Sequence, residues 1–270
     1  THFDRDGTPL FKNSIKMSNN LFPLLKPVTQ FKKIISVAIQ SHIIILDDCG
    51  VVRAAGSNES GQLGVGDFES SEYFLTVRGI PPITKISIAF NYSLFLDNEG
   101  DVWATGSDSQ GHIGFAKGKL IHSPVKLKDL PKIEQIEAGQ RRAFFIDENE
   151  KVWASSGDGK FSYTLYCLSD NCSDLKDIPI KQILTSYNEE LYLGVDGIIR
   201  TISSLGSKVH EIYNSQEFFY MYNPFFHSCI ILVDLNGLLY LRTFKNIIPM
   251  EEVPQMNLGL YRAKKANRTR

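Results

Sequence analysis

The sequence predicts an all-β protein, a β-propeller of four-stranded blades, from three observations. Glycines keep one register fifty residues apart, at Gly50/Gly100, Gly56/Gly106, Gly61/Gly111 and Gly64/Gly114. An apolar run, an aspartate, a short polar turn and a second apolar run recur as a unit along the chain. Proline-bearing apolar segments separate those units. A fixed period of this length is the mark of a repeat architecture. Two short apolar runs around a polar turn make a β-hairpin. With the intervening segment, each period holds about four short strands, as a propeller blade does. The runs are continuous rather than alternating, which fits sheets covered on both faces by their neighbours.

Taken in chain order, Thr1-His2-Phe3-Asp4-Arg5-Asp6-Gly7 reads as the end of a strand and a turn. Hairpins follow at Ile43-Ile44-Ile45-Leu46-Asp47, Leu94-Phe95-Leu96-Asp97, Phe144-Phe145-Ile146-Asp147 and Ile230-Ile231-Leu232-Val233-Asp234. Leu191-Tyr192-Leu193-Gly194-Val195-Asp196-Gly197 is a drifted copy. The return strands are Val51-Val52, Val102-Trp103, Val152-Trp153, Ile198-Ile199 and Leu238-Leu239-Tyr240. The segments from Phe74 to Ile86 and from Pro124 to Ile136 read as approach strands, with prolines at their ends because proline cannot donate to a ladder. Weaker copies run from Lys26 to Ile34 and from Ser173 to Ile183.

Hairpin turns at 7, 50, 100, 150, 197 and 237 give about six units, near 1–34, 34–86, 86–136, 136–183, 183–225 and 225–260, within one repeat domain, 1–260. The first and last are incomplete, and fidelity falls after residue 150. Residues 261–270 form a basic tail with Arg262, Lys264, Lys265, Arg268 and Arg270.

Composition narrows the function classes. The chain has 270 residues, 43 % apolar and 22 % charged, which is globular. A net charge of −1 argues against a dedicated nucleic-acid binder, which carries a basic face or a high pI. Cys49, Cys167, Cys172 and Cys229 form no C-x-x-C pair, and no histidines cluster near them to complete a zinc site. They are read as reduced thiols in an intracellular protein, cytoplasmic or nuclear. No signal peptide or long apolar span is visible, so a soluble and monomeric propeller is expected, with no cofactor and no metal.

The phrase Gly100-Asp101-Val102-Trp103-Ala104-Thr105-Gly106-Ser107-Asp108-Ser109-Gln110-Gly111-His112-Ile113-Gly114 carries further information. So do the valine/proline segment before the next strand and Ala138-Gly139-Gln140-Arg141-Arg142-Ala143. Together they resemble the repeats of the regulator of chromosome condensation family. Residues 34–86 and 86–136 match well, the third unit in part, and the rest in hairpin spacing. The resemblance implies a propeller, commonly of seven blades. An incomplete ring, degenerate blades or a truncated chain would each reconcile that number with six units. It also implies structural roles for the repeat residues. The founding member exchanges nucleotide on the small GTPase Ran and binds nucleosomes, whereas many relatives are interaction or regulatory platforms. The founding member's exchange activity depends on a protruding β-wedge; no inserted hairpin is legible here between 34 and 150.

Candidate sites divide into structural and partner-binding. The spacing of Gly61, Gly64 and Gly66 is neither a dinucleotide fingerprint nor a phosphate loop, so these are turn glycines. Leu63 and Ile113 are single apolar pegs in polar loops and are expected to point into the core. Asp47, Asp97, Asp147 and Asp234 sit at one place in successive hairpins and should bond their own turns. Trp103 and Trp153 share a strand position and are expected to pack between blades, with interface anchoring the less favoured role. No Ser/His/Asp or Cys/His set is suggested by spacing, so no catalytic residue is assigned. Gln140, Arg141 and Arg142, in an inter-strand loop, are the sharper candidates for contacting a protein partner, since arginine is favoured at hot spots. The expected function is a non-catalytic protein-interaction platform or scaffold. Small-GTPase nucleotide exchange is the alternative, and chromatin or anionic-membrane binding through the tail is a second one.

Overall fold

The computed structural model describes residues 10–11, 26–27, 32–109, 111–115, 118–155, 164–172, 175–185, 190–201, 215–221, 229–234, 239–242 and 247–249, with side chains between 32 and 200. The turn expected at Gly7, the loop at 202–214 and the tail at 261–270 lie outside the described residues.

Strands β1 (Leu10–Phe11) and β2 (Lys26–Pro27) form a small antiparallel pair. Five antiparallel meanders follow among the described residues, each with its strands in chain order. The first holds β3 (Ile34–Ile39), β4 (His42–Asp47), β5 (Val52–Gly56) and β6 (Ser71–Thr76). The second holds β7 (Ile83–Ile88), β8 (Tyr92–Asp97), β9 (Val102–Ser107) and β10 (Leu120–Lys126). The third holds β11 (Ile133–Ala138), β12 (Ala143–Asp147), β13 (Val152–Ser155) and β14 (Leu165–Cys167), followed by a one-turn helix, α1 (Leu168–Asn171). The fourth has β15 (Ile180–Thr185), β16 (Glu190–Gly194) and β17 (Ile199–Thr201). The fifth has β18 (Ser215–Met221), β19 (Cys229–Asp234), β20 (Leu239–Arg242) and β21 (Ile247–Pro249). This is an all-β propeller. Among the described residues no helix is long and apolar enough to cross a membrane.

The approach segments are not single strands. Phe74 to Thr76 ends the outermost strand of the first sheet, and Ile83 begins the innermost strand of the second. Pro124 to Lys126 and Ile133 to Ile136 divide in the same way. Between them the chain crosses from one blade to the next through a left-handed residue, Gly79 (φ 79°) or Asp129 (φ 64°), followed by proline. Asp177 (φ 59°) before Pro179 repeats the device. Apolar composition is shared by both strands, so the sequence alone does not show the break.

The first strands of successive blades, β3, β7, β11, β15 and β18, pack against one another and line the axis. On the hairpin strands, alternate side chains face opposite neighbours. Leu94, Leu96, Val102, Ala104 and Ile113 face forward, against Ile133, Ala143 and Phe145 of the third sheet. Ile44, Leu46, Val52, Ala54 and Leu63 likewise meet Ile83, Ile88 and Phe95, and Phe144, Ile146 and Val152 meet Ile180, Ile183 and Tyr192. Both faces of the second and third blades are therefore covered, which is why their strands read as unbroken apolar runs.

The hairpin turns use one left-handed position: Gly50 (φ 77°), Gly100 (φ 80°), Gly197 (φ 78°) and, without a glycine, Glu150 (φ 60°). The carbonyls of residues 50, 100 and 150 accept from the first strand of the next blade, at Ile83 (3.0 Å), Ile133 (2.9 Å) and Ile180 (3.0 Å). The turn is thus also an inter-blade stitch and must keep its conformation. A side chain with a Cβ is strained there by about 1 kcal/mol. Glu150→Gly is expected to raise stability by roughly 0.5–1 kcal/mol and Gly100→Ala to lower it by more than that; denaturant midpoints at constant m-value check both.

Candidate functional site

Each blade ends in two distinct edges. At one edge lie the aspartate turns. Asp47 Oδ1 accepts the backbone N–H of Cys49 (3.1 Å) and Val51 (2.9 Å), and Oδ2 accepts from Arg53 (2.9 Å). Asp97 holds Glu99 and Asp101 N–H (both 2.9 Å) and the Trp103 indole (2.9 Å). Asp147 holds Asn149 (2.9 Å), Lys151 (3.0 Å) and Trp153 (2.9 Å). Burial alone would raise the Asp47 pKa, but Arg53 and the two amides bring it below its ordinary value.

In the fourth blade Gly194 pairs with Ile180 as Asp147 pairs with Ile133. Asp196 Oδ1 fills the space a Gly194 side chain would occupy, and the Asp196 carboxylate binds Arg200 at 2.6 Å. The drifted copy rebuilds the same contact two residues later. Asp47, Asp48 and Cys49 bring ligand-type atoms within 4.8 Å of one another. Both oxygens of Asp47 are already engaged, and Lys32 Nζ lies 3.2 Å from the Cys49 thiol, so the trio is a closed turn. Cys49, Cys167 and Cys172 are free thiols.

At the opposite edge lie the glycine loops and the turns between first and second strands. Buried Asn58 accepts Leu63 N–H (2.9 Å) and donates to the carbonyls of Asp67 and Glu69, closing the loop on itself. Asp108 closes its loop as an acceptor alone, from the N–H of Ile113 (2.8 Å) and Phe115 (2.9 Å). The closed loops then plug into the next blade. Thr105 Oγ1 donates to the Gly61 carbonyl (2.7 Å) and Ser93 Oγ to that of Gln62 (2.7 Å). The His112 carbonyl accepts from Ala143 N–H (2.9 Å) and Ser155 Oγ (2.6 Å). A Cβ on Gly61 would stand 2.6 Å from the Ile121 carbonyl, so only glycine allows this approach. Gly111 lies buried in the matching loop and takes φ 77°, and Gly64 and Gly114 also lie in the left-handed region. Gly56 and Gly106 pair with His42 and Tyr92. Leu63 and Ile113 are buried in the seams. Trp103 packs on the seam between the first and second blades and Trp153 on the next.

The propeller brings together groups far apart in sequence. His42 Nε2 lies 2.7 Å from Ser93 Oγ. Both are buried, and the serine proton goes to the Gln62 carbonyl, so the imidazole donates and the pair is a structural link with no free nucleophile. Burial pushes the His42 pKa down to about 4. On the axis, Ser87 accepts Ala138 N–H (2.9 Å), and Glu137 accepts from Thr185 Oγ1 (3.2 Å), which links the second, third and fourth blades. Desolvation raises the Glu137 pKa to about 7 despite the hydrogen bonds from Thr185 and Ser87. No local pattern distinguishes Glu137 from exposed Glu134 of the same strand, so the sequence did not single it out.

Gln140, Arg141 and Arg142 lie in the β11–β12 turn but do not act as a unit. Arg142 forks onto Glu190 of the fourth blade (2.9 and 2.5 Å), donates to the Tyr166 hydroxyl (2.8 Å) and covers the Phe144 ring at 5.0 Å. Burial would lower its pKa, and Glu190 reverses the direction. Arg141 is exposed and Gln140 half-buried. The equivalent turns of earlier blades expose Ile39 (47 %) and Phe90 (62 %). These turns are tied in a row: the Ser41 hydroxyl donates to the Phe90 carbonyl, and the Tyr92 hydroxyl donates to that of Gly139 (2.7 Å).

No family model matches the sequence, and no curated protein matches it. Solved structures do match. Human WBSCR16 superposes with a TM-score of 0.62 at 14 % identity, over 75 % of this chain and 61 % of that one. Yeast RCC1 (Prp20) bound to Kap60 gives 0.54 at 16 %, over 78 % and 70 %. Prp20p from Saccharomyces cerevisiae, in a structure described together with its binding properties to Gsp1p and histones, gives 0.54 at 16 %, over 78 % and 72 %. The chain therefore has the fold of RCC1-type propellers and spans about three fifths to seven tenths of these proteins. At such identities the likeness concerns fold.

Two outcomes follow from the geometry. Arg142→Ala should cost about 2–3 kcal/mol, because it leaves half-buried Glu190 without its cation and with the Tyr192 hydroxyl (2.8 Å) as its remaining side-chain donor, whereas Arg141→Ala should change stability by less than about 0.5 kcal/mol; urea titration separates them. His42 and Glu137 should bend the pH profile in opposite senses. The His42 pKa is lowered on folding, so its contribution is complete above pH 6.5 and is lost as pH falls towards 4. The Glu137 pKa is raised, so its contribution is complete below pH 4.5 and is lost as pH rises through 7. His42→Gln should flatten the acid limb and Glu137→Gln the neutral limb, each by up to roughly 3 kcal/mol, measured by denaturation from pH 4 to 8.

Proposed function

We propose that this chain is a non-catalytic protein-interaction platform that meets its partner with the row of first-hairpin turns. The observation that carries the reading is the exposure of Phe90 and Ile39 beside Arg141 on turns bonded to one another. Large exposed apolar groups next to an arginine on a fixed frame make a good anchor set. The frame is set before binding, so little conformational entropy is lost on association. Arg142 supports the surface from within, and Gln140 sits beside Arg141 at the turn. The buried His42–Ser93 pair, with its proton committed, supports a non-enzymatic role.

Nucleotide exchange on a small GTPase is the second reading, favoured by the likeness to Prp20p, whose structure was described with its binding to Gsp1p. Against it, every described strand between 34 and 155 belongs to a blade, and none forms an added hairpin. Binding of nucleic acid or an anionic membrane rests on the tail at 261–270. A nuclear or cytoplasmic site of action accompanies the first two readings.

The test uses a partner isolated by affinity capture from the native cell and then purified. Phe90→Ser and Arg141→Glu should each weaken its binding about tenfold or more, with circular dichroism and melting temperature unchanged. Unaltered affinity in both would remove this surface from consideration. Release of fluorescent GDP from a panel of small GTPases should not accelerate; acceleration abolished by Arg141→Glu would put exchange in first place.

A further inference from the structure

The outer arm of the first blade has a character of its own. Residues 54–77 contain Glu59, Asp67, Glu69 and Glu72 and neither lysine nor arginine. The matching stretch of the second blade, 104–127, contains Lys117, Lys119 and Lys126. Asp67 is used internally, accepting from the Asn58 amide (3.1 Å) and the Glu69 N–H (3.0 Å). Glu59, Glu69 and Glu72 are exposed and form no ion pair among the described residues. The same arm exposes Tyr73 (70 %), Phe68 (41 %) and Leu75 (39 %). Phe68 stands edge-on to His122 of β10, ring centroids 5.1 Å apart, so an aromatic contact crosses the seam to the strand that also exposes Leu120. Lys126 on that side is neutralised by Asp101 at 2.5 Å.

We infer that this aromatic arm docks a cationic peptide segment of a protein partner, one that carries an apolar side chain between its lysines or arginines. The occupant follows from charge and shape. Three exposed carboxylates on the arm that also exposes Phe68 and Tyr73, two of them next to those rings in sequence, attract lysine and arginine, whose stems and charges suit aromatic faces. The same carboxylates repel phosphate, which disfavours nucleic acid and anionic lipid. The partner binds through side chains at this point and not as an added strand, because the Tyr73 backbone is already engaged. Its N–H reaches Ser71 Oγ (3.1 Å), and that hydroxyl donates back to the Tyr73 carbonyl (2.8 Å). The loop is pre-folded on Asn58, so the arm presents a formed surface. This surface is separate from the first-hairpin turns and stands or falls independently of them.

The probe is a short fluorescein-labelled peptide of repeating Lys-Leu-Arg-Ser, followed by anisotropy across a salt series with the whole chain. The combined Glu59→Gln, Glu69→Gln and Glu72→Gln variant should bind at least about tenfold more weakly and with a flatter salt dependence. Phe68→Ser with Tyr73→Ser should weaken binding about fivefold with the salt slope retained. Replacing leucine by serine in the probe should erase the difference between that variant and wild type. Arg141→Glu should bind as wild type. All these positions are exposed, and circular dichroism verifies that each variant is folded. Equal binding by the glutamine variant, indifference to Phe68 and Tyr73, loss of binding in Arg141→Glu, or no binding by wild type would each overturn the inference.

Discussion

The His112 carbonyl oxygen accepts from Ala143 and Ser155, both of which belong to the next sheet, and the Gln62 carbonyl finds its partner on Ser93 in the same way. A blade of this propeller is incomplete alone. Its loop backbone, its turn carbonyl and both apolar faces are satisfied only by a neighbour. Buried carbonyls without partners are costly, so each blade specifies the spacing and orientation of the one that follows. The glycines at 61 and 64 exist for this contact, since a side chain would hold the loop off the next strand.

The seam tolerates chemical variation as long as the contact survives. The side chain reaching the turn aspartate is Arg53 in one blade and tryptophan in the next two. In the fourth blade the aspartate itself has moved, and Asp196 reaches back over Gly194 to meet Arg200. His42, Tyr92 and Arg142 occupy one place and each crosses to the next blade, by an imidazole, a phenol and a guanidinium. Apolar burial supplies the bulk stabilisation, while these polar links set register. The Arg142–Glu190 fork is oriented by two parallel bonds and so constrains rotation as well as distance.

Because the seams hold the blades, the exposed edges are released from structural duty and can differ from blade to blade. The aspartate edge is mixed in charge and largely self-satisfied. The loop-bearing edge carries Ile39, Phe90 and Arg141 near the axis, and the first blade's arm adds acid and aromatic groups at the periphery. The chemistry exposed on this edge therefore differs between the axis and the periphery of one frame.

The repeat period, the hairpins, the turn role of Asp47, Asp97 and Asp147 and the seam-facing pegs Leu63 and Ile113 were legible in the sequence, while the turn of Asp234 lies outside the described residues. Each is a local rule of backbone conformation or apolar pattern repeated often enough to stand out. The crossing hidden within the approach segments was not legible, because strands of adjacent blades share one composition. Nor did the pair Arg141 and Arg142 reveal its division of labour: one guanidinium is held between blades and its neighbour faces solvent. That difference depends on Glu190, forty-eight residues away, being brought within bonding distance. Neighbours distant in sequence decide which polar side chains are structural and which remain available, and only the stacking of whole sheets places them.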